Sequence, residues 1–179
     1  MTRSNTLNAL LCACLIQECE FPNLEIYITD EEGEKYTIKT FEEMIDVIDA
    51  MDECTLFLQS GTQKAWFDII MCNDGADQIS DYSANPWAEK IMLKTDALSK
   101  NMRYEVQTRM INDVWENVWS IERSNGIRRP MTFSSEKAAE DEIDEFFCDL
   151  TVEQFLDYSR EDYRVRPVFK KGTLTDQSA

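Results

Sequence analysis

Between Leu24 and Met71 the apolar residues change period twice, and that change decides the fold class. Leu24, Ile26 and Ile28 alternate with Glu25, Tyr27 and Thr29, the period of a strand with one covered face. Asp30-Glu31-Glu32-Gly33 turns the chain, and Lys35 to Lys39 pairs back as a hairpin. The period then lengthens. Phe41, Met44, Ile45, Ile48 and Met51 recur at three-and-four spacing, and Thr40-Phe41-Glu42-Glu43 before them is a capping box that satisfies the free amides of a helix start. Thr55 to Gln59 and Lys64 to Met71 return to strand character around a Ser60-Gly61-Thr62-Gln63 turn. The order ββαββ predicts an antiparallel sheet with a helix across one face, an α+β fold.

The flanking segments read mostly as helices. Residues 5–19 form a helix capped by Ser4 or Asn5, with Leu7, Leu10, Leu11, Cys14 and Leu15 as its buried stripe, and Phe21-Pro22 ends it. Asn73-Asp74-Gly75 is a turn, and Gln78 to Ser83 adds a short edge strand. Asn85-Pro86 starts a helix running to about Leu98, because proline at the first helical position loses no hydrogen bond. Val106, Met110, Ile111, Val114, Val118 and Ile121 predict a fourth helix over Glu105 to Arg123, with Trp115 and Trp119 beside the stripe and Asn125-Gly126 as its stop. Ser135 to Tyr163 then forms two acidic surface helices that part near Leu150, where Thr151-Val152-Glu153-Gln154 repeats the capping-box pattern. The expected organisation is a sheet region over 1–84 and a helical C-terminal half over 85–163 packed on it as one domain. A basic, then loose, tail follows over 164–179.

Charge is the second constraint. The 179 residues carry a formal charge of −17, with 43% hydrophobic and 11% aromatic content, so the acidity belongs to a chain with a core. Glu18 to Cys54 nets −11 and Glu136 to Asp162 nets −9, which leaves +3 for everything else. Helical spacing sets Glu42, Asp46, Asp49 and Glu53 along one outward ridge. In the later stretch Ala139, Ile143, Phe146, Phe147 and Leu150 take the inner face. Asp141 and Glu145 point directly away from that face, while Asp144 lies on one flank and Asp149 on the other. Neither ridge has the interleaved Lys or Arg four residues away that offsets like-charge repulsion. Acids kept against that repulsion, at roughly one per 4 Å of helix axis, approach the phosphate spacing of about 3.4 Å along one DNA strand. Such a field repels nucleic acid and anionic membranes and attracts a basic protein, the expected partner.

Catalytic readings find little support. The chain has no histidine, which removes Ser-His-Asp and Cys-His chemistry, HExxH zinc sites and the commonest general base near neutral pH. Carboxylate pairs such as Asp141 with Glu145 sit on the open side of a helix, with no cleft to raise a pKa. Asn73-Asp74-Gly75-Ala76-Asp77 lacks the distal Glu of a calcium loop, and the five glycines form no phosphate-cradling motif. Trp66, Trp87, Trp115 and Trp119 read as core packing, since a base-stacking platform needs a positive groove. The six cysteines show no paired CxxC spacing and suit buried thiols in a reducing cytoplasm. Arg3, the apolar run Leu7 to Ile16 and Leu11-Cys12-Ala13-Cys14 imitate a lipoprotein signal, but with one base and a short apolar region. No enzyme activity, metal or cofactor is expected.

The two ridges and the total charge resemble the acidic DNA-mimic anti-defence proteins of phages and mobile elements, of antirestriction and anti-CRISPR type. That resemblance implies an inhibitor that occupies the basic nucleic-acid-binding surface of a host defence nuclease or surveillance complex in the bacterial cytoplasm. Glu42, Asp46, Asp49, Glu53, Asp141, Asp144, Glu145 and Asp149 would then imitate phosphates. The segment from Lys64-Ala65-Trp66-Phe67 to Ile79-Ser80-Asp81-Tyr82 is similar to small phage-encoded proteins. Ser134-Ser135-Glu136-Lys137-Ala138-Ala139 leading to Asp144-Glu145-Phe146-Phe147 is similar to the closing helix of a toxin-immunity family. That likeness implies an alternative, a cytoplasmic immunity protein neutralising a cognate nuclease-like toxin.

Overall fold

The computed structural model describes residues 3–21, 23–72, 77–109, 114–117, 119–122, 126, 128–155 and 157–168. The chain divides into two compact units, Met1–Lys100 and Asn101–Ala179. Both mix helix and strand, so the protein is α+β.

In the first unit, α1 (Asn5–Ile16) continues into a short 3-10 turn. It precedes β1 (Glu25–Thr29), β2 (Lys35–Ile38), α2 (Phe41–Asp49), β3 (Glu53–Ser60), β4 (Gln63–Ile70), β5 (Gln78–Tyr82) and α3 (Pro86–Ser99). The five strands form one sheet in the order β2-β1-β3-β4-β5, every adjacent pair antiparallel. Because β1 lies between β2 and β3, those two run parallel to each other, and α2 is the crossover between them. The expected ββαββ arrangement is therefore present, with α1 and α3 adding to the covering layer.

Alternation explains the core. Ile26 and Ile28 from β1, Cys54, Leu56 and Leu58 from β3, and Ala65, Phe67 and Ile69 from β4 are all buried. Leu7, Leu10 and Leu11 of α1, Met44 and Ile48 of α2 and Ile91 of α3 are buried with them. Each buried Leu, Ile, Phe or Met among them contributes about 1.5–3 kcal/mol by leaving water. The helix starts behave as their sequences suggest. Ser4 Oγ accepts from the Leu7 amide, Thr40 Oγ1 from Glu43, and Asn85 Oδ1 from Trp87 and Ala88. Glu43 reaches back to the Lys39 amide at 2.7 Å, one residue before the cap.

On the opposite sheet face, Tyr27 and Phe57 are direct cross-strand neighbours with stacked rings 4.9 Å apart. Lys35 Nζ lies 3.9 Å from the Tyr27 ring centre and Lys64 Nζ lies 4.1 Å from that of Phe57. This row keeps Tyr27 at 6% exposure.

The second unit corrects the sequence reading most. The described parts of Glu105 to Arg123 are not helical. β6 (Arg103–Thr108), β7 (Glu116–Asn117) and β8 (Ser120–Glu122) occupy these parts, and Val114 and Ile121, expected on an inner face, are each 53% exposed. The segment from Arg164 is not a loose tail at its start. It belongs to β10 (Tyr163–Val168), which pairs antiparallel with β6 along six residue pairs. The three-stranded sheet runs β10-β6-β7, and β8 pairs with β9 (Arg128–Pro130). The C-terminal half is thus a second mixed unit rather than a helical one. The helical expectation holds for α4 (Glu136–Asp149), capped by Ser135, and for the single turn α5 (Val152–Phe155). Ala139 and Ile143 of α4 are buried, and Phe146 and Phe147 pack on Tyr163 with ring centres 5.6 and 5.4 Å away. The Asn73-Asp74-Gly75 turn, Met110, Ile111, Val118, Asn125 and the terminus beyond Val168 lie outside the described residues.

Candidate partner-binding surfaces

The first ridge is only partly a free surface. Asp46 is exposed, Glu42 is half-buried, and Glu53 is exposed but opens β3 rather than closing the helix. Asp49 is committed internally: Arg3 Nη1 stands 2.6 Å from its Oδ2, with the Arg3 side chain 6% exposed. Arg3 is itself positioned by a 3.1 Å bond from Nε to Asn8 Oδ1, and Ser4 next to it donates from both its amide and its hydroxyl to the buried Asp77 carboxylate. A residue expected to imitate phosphate therefore helps anchor the N-terminus.

The fold gathers other acids instead. A cleft of about 540 Å³ is lined by Asp30, Glu31 and Glu32 of the β1–β2 turn, Tyr36 of β2, Asp46 and Val47 of α2, and the Ala50-Met51-Asp52-Glu53 connection. A second, of about 340 Å³, shares Asp30, Glu31 and Glu53 and adds Asp68 of β4. The hairpin turn, the end of α2 and the start of β3 meet at one end of the sheet, so local spacing along α2 could not reveal this set. Among the described lining residues neither cleft has a lysine or arginine. Tyr36 donates to Asp30 Oδ2 at 3.2 Å, and burial followed by that bond pushes its hydroxyl up to about 12.

The second ridge lies on α4 of the second unit. Asp141, Asp144, Glu145 and Asp149 are all exposed, on the side turned away from Ala139 and Ile143. Against the sequence expectation, this ridge does have a base four residues away: Lys137 Nζ pairs with Asp141 at 2.9 Å, and Asp141 first, by hydrogen bond and charge, then Asp144 by charge, raise the lysine. Arg160 bonds Glu140 and approaches Asp144 Oδ1 at 3.9 Å, leaving the Asp144 side chain 72% exposed. Glu140 is half-buried, and burial raises its carboxyl against the opposing pull of Arg160. Glu145 and Asp149 complete a strip about 12 Å long at 1.5 Å of rise per residue.

Cys12, Cys14 and Cys54 are buried, as expected, whereas Cys19 and Cys148 are exposed and Cys72 is half-buried. Among the described residues no group of three or more Cys, Asp or Glu could hold a metal ion, and no helix is long and apolar enough to cross a membrane. Comparison with protein families, with curated proteins and with solved structures finds no match for this chain.

Proposed function

We propose that this protein is a non-enzymatic acidic inhibitor that binds the basic nucleic-acid-binding surface of a host defence nuclease or surveillance complex by imitating DNA phosphates. The observation that carries the reading is the α4 strip: four exposed carboxylates on a helix whose opposite side is fixed to a sheet. A carboxylate held on a packed helix loses little freedom on docking, so its Coulomb attraction to a cationic groove is not spent on ordering. The acidic sheet end of the first unit supplies a second surface of the same sign.

The test is capture from host lysate at low and high salt, with native protein beside Asp141→Lys, Asp144→Lys, Glu145→Lys. The native chain should retain a basic nucleic-acid-binding protein that duplex DNA displaces, and the variant should lose it. Equal capture by both, or a captured partner indifferent to DNA, would remove the reading. Capture of a single toxin nuclease would favour the immunity alternative.

A further inference from the structure

We draw no further inference here: the strongest candidate, the acidic cleft at the end of the first unit's sheet where Asp30, Glu31, Glu53 and Asp68 gather, is a set of carboxylates beside which nothing in the structure shows what would fill it.

Discussion

Arg3 and Asp49 form an ion pair, 2.6 Å from Nη1 to Oδ2, that ties the residue before the first helix cap to the last residue of α2. The arginine is nearly buried and the aspartate about a quarter exposed, and Asp49 Oδ1 is buried without a hydrogen-bond partner among the described residues. Removing the cation alone therefore leaves a carboxylate poorly served by water. Arg3→Ala should destabilise the protein by about 3 kcal/mol, whereas Arg3→Met with Asp49→Leu should be much closer to neutral. Urea unfolding of the three proteins is the check. Equal losses in the single and double variants would show that packing, not charge, holds the N-terminus.

Thiol reactivity should separate the exposed Cys19 and Cys148 from the buried Cys12, Cys14 and Cys54. Burial pushes the Cys14 thiol up and raises Cys54 to about 12, with the nearby Asp68 charge adding to the latter. Both are inert as nucleophiles near neutral pH, since the thiolate is the reacting form. An aromatic disulfide reagent at pH 8 should label Cys19 and Cys148 quickly, and Cys12, Cys14 and Cys54 only after unfolding. Replacing Cys19 and Cys148 with serine should abolish the fast phase. Rapid labelling of Cys14 in the folded protein would contradict its place in the core.

The first unit was legible because its signals are local and agree with one another. Leu24 to Ile28 alternates, Thr40 and Asn85 cap, and Phe41, Met44 and Ile48 share one helical side, each within a few residues of the next. In the second unit β6 and β10 are more than fifty residues apart, and neither declares itself alone. Val106, Val114 and Ile121 mimic helical spacing, yet two of them are solvent-facing. In β10, alternation of Tyr163 and Val165 with Arg164 and Arg166 reads as a polar tail until β6 supplies the hydrogen bonds and Glu105 and Gln107 face the arginines. The acid sites divide the same way. Helical angle placed the α4 strip correctly, but it had no means of showing that Asp49 would meet Arg3, or that Asp30 and Asp68 would join Glu53 at the sheet end.

Glu20 should give a measurable pH signature. Lys90 bonds it at 2.8 Å and Lys94 lies 3.5 Å away, and the Lys90 bond chiefly lowers its carboxyl below the usual range. A carboxylate with a lowered folded value contributes its full stability above the ordinary carboxylate range and loses it as pH falls through the lowered value. With the side chain 37% exposed, solvent screening limits this to about 0.5–1 kcal/mol. Thermal unfolding of Glu20→Gln should show a deficit at pH 7 that shrinks as pH falls through the ordinary carboxylate range toward the lowered value. A deficit unchanged at pH 3 would assign the effect to packing between the end of α1 and α3.

The Lys35–Tyr27–Phe57–Lys64 row closes a sheet face that the helices leave open, and its parts should be coupled. Stacked aromatic pairs contribute about 0.5–1.5 kcal/mol beyond the area they bury, and an exposed cation over a ring about 0.5–1. Lys64 lies over Phe57 at 4.1 Å and reaches Tyr27 only at 5.7 Å, so its effect should run through Phe57. Lys64→Met keeps the apolar stem and removes the charge, which isolates the ring contact from simple coverage. In a double-mutant cycle with Phe57→Leu, the coupling energy should be about 0.5–1 kcal/mol. The same cycle built on Lys64 and Trp66, a neighbour of Phe57 on β4, should give a coupling near zero. Additive losses for Lys64 and Phe57 would mean that the lysine merely shades the ring from water.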